Sequence, residues 1–178
     1  IPGKLGFFLA LPPDSSTAIW PSSGFGAAGV LILGYQTIPG VFLGSFLLNL
    51  TEQLSTSQFL SSEIFISTIR SSGIALGAMC ESFLVARIIK KYVGFPTSIT
   101  HWSAAIILCA AGLIGTIPSP TIAIASLFLT GAIPASSIIY NWWYWWVGNN
   151  LGIATVLPIL VTLYAPVMYI STKRKVNV

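Results

Sequence analysis

The amino-acid sequence predicts an all-α protein, a polytopic bundle of transmembrane helices with about six membrane segments, some of them short or re-entrant. Of the 178 residues, 54% are hydrophobic and only 7% are charged, whereas soluble domains carry roughly a quarter charged residues. The mean hydropathy is +0.86. A spanning helix needs about 20 apolar residues, so the chain has room for roughly five to seven crossings. The apolar runs lack the period-2 alternation of membrane barrel strands, which favours helices.

Positive charge marks the ends of two apolar runs. The formal net charge is +4. One basic cluster, Arg87, Lys90 and Lys91, follows a long apolar run, and residues 173–175 follow the last run. Basic residues beside a span usually lie on the cytoplasmic side. Both clusters are therefore interpreted as orientation markers, which place the C-terminus in the cytoplasm, and not as a nucleic-acid surface.

The boundaries of the apolar region predict the domain organisation. Residues 1–172 are expected to form one integral membrane domain, and residues 173–178 a basic cytoplasmic juxtamembrane tail. Because the chain opens at Ile1 without an initiator Met or a signal-peptide pattern, its N-terminal helix is expected to be incomplete.

The first half of the chain predicts two short apolar segments and one long helix. Residues 12–16 are expected to form a polar turn at the membrane surface. The runs 24–33 and 39–50 are each barely long enough to cross, so they are either thin, tilted spans or a broken hairpin that dips into the membrane. Residues 51–62 predict a hydrophilic loop outside the cytoplasm, and residues 65–91 a long helix.

The second half begins with a predicted span over residues 98–116. Pro118 and Pro120 are expected to frame a tight turn, after which residues 121–139 form another apolar run. The final run, residues 147–170, contains two prolines, which in a membrane helix predict kinks.

These three runs conflict with the charge pattern, because two basic clusters on one side need an even number of crossings between them. We expect residues 121–146 to be the exception, either re-entrant or lying on the surface. Pro134 interrupts this stretch, and its aromatic residues suit the membrane interface.

Small residues recur four positions apart, a spacing that puts them on one helix face and allows close helix packing. An ordinary abundance of glycine in membrane helices is the alternative explanation. The candidate packing residues are Gly40, Gly44, Gly73, Gly77, Gly148 and Gly152.

Glu81 is the most unusual residue of the long helix, because an ionisable group near mid-membrane is costly and usually faces the bundle interior. Residues 70, 73, 77 and 81 share one stripe, so Glu81 faces the same groove as two glycines. Arg70 lies about 16 Å away along the helix axis, too far for direct pairing. Glu81 either marks a ligand or ion pathway or has a structural role, protonated and hydrogen-bonded to a facing helix.

The run 142–150 combines five consecutive aromatic residues with a glycine and two amides. An interfacial aromatic belt explains the aromatic residues. Aromatic surface beside a few fixed polar groups is also typical of a small-molecule pocket. We expect Trp142, Trp145, Trp146, Gly148 and Asn149 to line such a pocket.

No arrangement of residues indicates catalysis or a metal site, and we expect neither. His101 is the only histidine, and a lone histidine does not make a metal site. Cys80 and Cys109 lie in apolar runs and are interpreted as packing residues. Asn49 and Glu52 close the second short run, where they either cap a helix end or line a vestibule. No cofactor can be named.

Three stretches taken together resemble the first class of membrane-associated sensor domains, the MASE group. Their order and spacing fit over residues 17–160. The stretches are Trp20-Pro21-Ser22-Ser23-Gly24; Gly34-Tyr35 with Pro39-Gly40-Val41-Phe42-Leu43-Gly44 and Asn49; and Trp145-Trp146-Val147-Gly148-Asn149 with Leu151-Gly152 and Pro158. Glu81 falls where the family commonly carries an acidic residue. Asn149 stands in place of the family's aspartate, which argues against a cation-dependent role there, and Ile38 in place of an aromatic residue.

The resemblance implies a bacterial inner-membrane sensory domain that detects a small ligand or a membrane partner. Such domains precede histidine kinases and diguanylate cyclases, so a cytoplasmic output module is expected just after Lys175. A homo-oligomer or a membrane partner is also expected. The candidate ligand-binding residues are Trp20, Asn49, Glu81, Trp142, Trp145, Trp146, Gly148 and Asn149.

The alternative function is a small-molecule membrane transporter, or its substrate-binding subunit, because short broken helices also build transport sites near the midplane. A coiled coil or catalytic domain after residue 178 would favour the sensor, and a stop codon there the transporter. A purely structural membrane subunit is a third interpretation.

Overall fold

A computed structural model describes the backbone of residues 10–11, 16–17, 19–56, 61–94 and 102–176, and the side chains of residues 19–55, 61–94 and 102–164. Two strands of two residues each, β1 (Ala10–Leu11) and β2 (Ser16–Thr17), pair antiparallel. The helices are α1 (Pro21–Leu33), α2 (Ile38–Thr56), α3 (Ser61–Tyr92), α4 (Trp102–Gly115), α5 (Pro118–Leu129) and α6 (Ile138–Val176). Short 3-10 helices, Tyr35–Thr37 and Ala135–Ser137, precede α2 and α6.

Among the described residues, three helical stretches are long and apolar enough to cross a membrane. They are Ser61–Tyr92, Trp102–Leu129 and Ala135–Tyr164. The predicted helical membrane protein is thereby confirmed. Three long spans do not confirm the predicted number of about six segments, which stays a prediction.

The second span corrects the predicted turn at Pro118 and Pro120, which was wrong. α4 and α5 follow one another as one stretch, Trp102–Leu129, and hydrogen bonds such as Thr116 N–H to the Gly112 carbonyl and Thr121 N–H to the Ile117 carbonyl carry the chain through the junction. Prolines are tolerated at the start of a helix, where their missing N–H groups are not needed. They therefore interrupt the span without reversing it.

This continuity also corrects the prediction of one re-entrant or surface segment over residues 121–146, because these residues are divided between two candidate spans. Residues 121–129 complete the second span, a turn with positive φ at Gly131 follows, and the aromatic run belongs to the start of α6. Two candidate spans therefore lie between the two basic clusters, the even number that the charge pattern requires.

The predicted hydrophilic loop over residues 51–62 is also wrong for the part that the structure describes. α2 continues to Thr56 and α3 begins at Ser61. The long helix predicted over residues 65–91 is confirmed by α3. The predicted polar turn at residues 12–16 lies largely outside the described residues.

α1, α3 and α6 run in one direction, and α2 and the second span run in the opposite direction. Paired contacts at Arg70 with Thr130, Gly77 with Ser119, and Val85 with Gly115 place the second span antiparallel to α3. α1 runs parallel to α3, since Ser82 lies beside Gly26 and Lys90 beside Val30. We call the end of the bundle that holds Lys90 and Lys91 the basic end.

α1 is an apolar helix that is shorter than the three candidate spans. It is 13 residues long, which corresponds to about 20 Å, and it runs from the level of Glu81 to the basic end. Its C-terminus stops at Gly34, whose φ of 94° is a conformation that favours glycine. The N-terminus of α1 consequently lies inside the bundle.

The apolar core joins these helices through closely packed aliphatic side chains. Its members come from α1, α3, α4 and α6: Ala27, Ala28, Val30, Leu31, Val85, Ala86, Ile89, Leu108, Ala111, Ile153, Leu157 and Val161. Lipid is as apolar as these side chains, so their contribution is tight packing rather than removal of apolar surface from water. Packing of this kind positions the polar groups that the same helices bury.

Candidate functional site

The Glu81 carboxyl group lies at the centre of a buried polar cluster, which we call the Glu81 cluster. Asn149 donates a hydrogen bond from Nδ2 to Glu81 Oε2 over 2.7 Å and another to Ser119 Oγ over 3.0 Å. The side chains of Ser23 and Ser119 also hydrogen-bond to Glu81. Glu81 and Asn149 are each 1% exposed. One polar cluster therefore joins α1, α3, α5 and α6.

Glu81 lies about 15 Å from Lys91 along α3, roughly half the thickness of the hydrocarbon layer. No basic side chain of the described residues forms an ion pair with it. Arg70 instead donates to Thr130 Oγ1 and to the Thr130 carbonyl at the end of α5, over 2.8 and 2.9 Å. Hydrogen-bond donors therefore stabilise the carboxyl group at this depth. The N-terminus of α1, which carries the positive end of the helix dipole, lies nearby and also favours a negative charge there.

The start of α1 reaches the Glu81 cluster because α6 holds it there. The Trp20 N–H donates to the Gly148 carbonyl over 2.9 Å. A Cβ placed on Gly152 would overlap the Trp20 carbonyl oxygen, and one placed on Gly24 would overlap the Gly152 carbonyl oxygen. Two backbones therefore touch at this crossing, and Ser23 in the first turn of α1 is carried to Glu81.

Another face of α6 binds the junction between α4 and α5. Ile117 N–H is bonded to the Ile114 carbonyl, which leaves the Leu113 carbonyl without its usual helical donor. The Trp146 indole N–H donates to that carbonyl over 3.1 Å. Asn150 Nδ2 donates to Thr116 Oγ1 over 3.0 Å, and Trp142 Nε1 to Thr121 Oγ1 over 3.0 Å.

A first prediction follows for Trp146. Its replacement by phenylalanine keeps the ring contacts with Trp142 and Trp143 but removes the donor to the Leu113 carbonyl. We expect the free energy of unfolding in mixed micelles to fall by about 1 kcal/mol. Trp143→Phe is the matched control, because Trp143 is 53% exposed. Equal losses in both variants would contradict a specific role for the Trp146 indole.

The predicted site residues do not all meet. Trp20, Glu81, Gly148 and Asn149 lie at the cluster or touch its supporting backbone, and Trp142 and Trp146 lie at the neighbouring helix junction. Trp145 is half-buried, one turn before Asn149. Asn49 is separate, since its Nδ2 donates to the Ser45 carbonyl of its own helix over 2.8 Å.

The predicted packing glycines also divide into two groups. A Cβ at Gly73 would overlap Ser126, and one at Gly77 would lie 2.7 Å from the Ser119 carbonyl oxygen. Both glycines therefore allow α5 to approach α3. Around Gly40 and Gly44, by contrast, no atom lies within 4 Å of such a Cβ among the described residues.

Sequence reasoning missed the two serines of the cluster. Ser23 and Ser119 are only 8% and 4% exposed, yet serine is common in membrane helices and gives no signal by itself. The motif Trp20 to Gly24 contains Ser23, but in the sequence this motif indicates only a resemblance to membrane-associated sensor domains. Ser119 stands between two prolines, and their interpretation as a turn concealed its place in a span.

The amide of Asn149, where the resemblance implies an aspartate, suits this cluster chemically. An amide donates from Nδ2 to Glu81 and to Ser119 at the same time. An ionised aspartate accepts hydrogen bonds only. Its second buried charge would oppose that of an ionised Glu81 at a separation of a few ångströms.

No group of three or more His, Cys, Asp or Glu side chains in the described residues could hold a metal ion. His101 lies outside the described residues. Cys80 is half-buried and Cys109 exposed, and both are free thiols.

Comparison with known proteins identifies one family. No curated protein and no solved structure matches the chain. The family model of MASE1 matches residues 4–169, which includes every helix that builds the Glu81 cluster. This chain therefore belongs to the MASE1 family of membrane sensory domains.

Proposed function

We propose that this chain detects a small ligand or a membrane partner at the Glu81 cluster and relays the event through α6 to a cytoplasmic output module. A single observation carries the proposal. α6 contributes Asn149 to the cluster and then continues as one helix to Val176, about 40 Å further along the chain. A shift of Asn149 relative to Glu81 would therefore be passed along one helix toward the C-terminal end of the domain.

The cluster contains one hydrogen-bond acceptor that a donor group of a ligand could use. Asn149 Oδ1 is buried and has no hydrogen-bond partner among the described residues, and an unsatisfied buried acceptor costs about 1–3 kcal/mol. A ligand donor that reached Oδ1 would recover that free energy. Such a ligand shifts the helix arrangement only if its affinities for two arrangements differ.

The proposal includes the topology and the context of the domain. Residues 1–172 form the sensory domain, with about six membrane segments when α1, α2 and an N-terminal segment are added to the three long spans. The basic end and residues 173–178 face the cytoplasm of a bacterium, and the output module of a histidine kinase or diguanylate cyclase follows. The domain acts as a homo-oligomer or with a membrane partner.

Transport of a small molecule is the second candidate, and two features of the structure favour it. α1 begins at the level of Glu81, and the second span is interrupted between Gly115 and Pro118 beside the same cluster. Discontinuous helices near the midplane build the substrate sites of many transporters.

Native mass spectrometry of the detergent-purified protein tests the binding site. We expect wild type to carry a discrete additional mass that is lost in Glu81→Gln and in Trp146→Ala, because the first changes the cluster and the second the junction beside it. Glu63→Gln is the matched control, since it makes the same chemical change at the start of α3. A bare protein in all four samples would contradict a small ligand and leave a membrane partner as the input.

Spin-label distances distinguish the sensor from the transporter. With Cys80 and Cys109 replaced by serine, one label pair at Tyr92 and Leu163 reports on the basic end, and another at Phe65 and Ile139 on the opposite end; all four side chains are exposed. Wild type and Glu81→Gln are compared. A sensor is expected to change the basic-end distance by about 1–2 Å, a helix shift typical of signalling. Opposite changes of several ångströms at the two ends would instead indicate alternating access.

A further inference from the structure

Cationic and aromatic side chains form a connected group at the basic end. Lys90 Nζ lies 4.3 Å from the Tyr35 ring centroid and 3.3 Å from the Val30 carbonyl oxygen. The Tyr35 ring packs against Phe83 with centroids 5.4 Å apart, and the Arg87 guanidinium lies over the Phe83 ring at 5.9 Å. This group joins the turn after α1 to the last turns of α3.

The positive charge of this group has little compensation. Lys90 and Lys91 occupy the last turn of α3, where the helix dipole supplies only about half a negative charge. Glu81 is buried about 9 Å before Arg87 along the axis. Glu52 and Glu63 lie toward the other end of the bundle, and Asp14 is outside the described residues. Ring faces attract cations without neutralising them.

Arg87 and Lys91 are the two exposed cations of the group. They are four residues apart on α3, so their Cβ atoms lie about 5–6 Å apart on one face of the helix. That separation suits two cations that hold one phosphate group between them. Arg87 brings a planar fork of donors, which matches phosphate oxygens, and Lys91 brings a point charge.

We propose that Arg87 and Lys91 bind the headgroup phosphate of an anionic phospholipid. The position favours a lipid over a soluble anion, because these side chains lie where a span ends. Exposed apolar and aromatic side chains lie at the same end of the bundle: Leu33 is 55% exposed, Tyr35 42% and Tyr92 60%, and Lys91 Nζ lies 4.9 Å from the Tyr92 ring centroid. Tyrosine favours the headgroup level, and Leu33, at the end of α1, offers apolar surface to an acyl chain. The bound lipid would stabilise the contact between α1 and α3.

Lipid binding is tested by native mass spectrometry of the purified chain titrated with phosphatidylglycerol or with phosphatidylcholine of the same acyl chains. We expect wild type to prefer phosphatidylglycerol, and Arg87→Gln with Lys91→Gln to lose affinity about 25-fold, since each cation near an anionic headgroup contributes on the order of fivefold. Arg87→Lys keeps the charge but loses the planar fork, so it should retain more affinity than the double variant and less than wild type. Lys173→Gln with Lys175→Gln removes the same charge from the tail and should change it little.

The proposal is overturned by equal binding of the two lipids, by retention of the preference in the Arg87 and Lys91 double variant, or by an equal loss in the tail double variant. Inorganic phosphate at matched ionic strength is added as a competitor. Displacement of the lipid by millimolar phosphate would indicate a soluble-anion site and also overturn the lipid assignment. Thermal unfolding of the variants in detergent without added lipid verifies that they are folded, and both substituted side chains are exposed.

Discussion

Gly152→Ala is expected to lower the free energy of unfolding by about 2–3 kcal/mol, the upper part of the roughly 1–3 kcal/mol typical of overpacked interiors. The added Cβ would overlap the Trp20 carbonyl oxygen and approach Trp20 C to within 2.7 Å. Both are backbone atoms, which cannot turn aside as a side chain can. The start of α1 must therefore move away from α6, and Ser23 with it. Unfolding is measured by tryptophan fluorescence in mixed micelles of increasing SDS fraction.

Gly44→Ala is the matched control. It makes the same chemical change within a helix, but no atom of the described residues lies within 4 Å of the added Cβ. Alanine is a better helix former than glycine by up to about 1 kcal/mol, so this variant should be as stable as wild type or slightly more stable. If the two alanine variants unfold at the same SDS fraction, the close crossing of α1 and α6 is wrong.

Glu81→Leu should lower the free energy of unfolding by about 3 kcal/mol, because it leaves three buried donors, on Ser23, Ser119 and Asn149, without their shared acceptor. Glu81→Gln keeps one acceptor oxygen at the same distance along the side chain, and we expect about half that loss. The leucine is close in size and apolar, so the larger loss expected in Glu81→Leu cannot come from a cavity. The same mixed-micelle titration measures it.

A double-mutant cycle with Asn149→Leu separates the cluster from its surroundings. Asn149 and Glu81 share a hydrogen bond of 2.7 Å, so the two losses should not add, and the coupling free energy should be about 1 kcal/mol or more. Glu63→Gln, at the start of α3, should change the stability little. Additive losses for positions 81 and 149 would show that the two side chains act independently and would remove the basis for relay through α6.

These expected losses bear on signalling as well as on stability. Polar contacts between membrane helices average only about 0.6 kcal/mol, so a cluster of several such contacts holds one helix arrangement by a margin that a ligand can reverse. A shift of population from 1:99 to 99:1 needs about 5.5 kcal/mol of differential affinity. The summed free energy of the polar contacts in the Glu81 cluster is therefore small enough for the differential affinity of a ligand to overcome.

Several features of the site could be predicted from local patterns. A carboxyl group inside a long apolar run has few acceptable positions, and so the inward-facing stripe from Arg70 to Glu81 follows from helical periodicity alone. Along that stripe the structure places Thr130, Ser126 and Ser119 in turn. The identity of those partners could not be derived, because it depends on how two distant segments align.

The prolines illustrate the opposite case. Pro118 and Pro120 predict an interruption, which is present, but a proline signal is the same for a turn between two spans and for a break within one. The choice depends on whether neighbouring helices satisfy the freed backbone groups. Trp146, 33 residues further along the chain, satisfies the freed Leu113 carbonyl with a hydrogen bond from its indole N–H. No local sequence pattern indicates this partner.

The sequence by itself determined that the chain is helical and belongs in a membrane, that Glu81 faces inward, and that basic residues mark one end. Composition and periodicity act within one segment and need no partner. Only the tertiary structure decided that α1 is a short helix that begins beside Glu81, that residues 102–129 form one candidate span, and that Asn149, Ser23 and Ser119 meet Glu81. Those outcomes depend on contacts between backbones at glycine crossings and on hydrogen bonds between residues 30 to 68 positions apart, which arise only once the helices are packed.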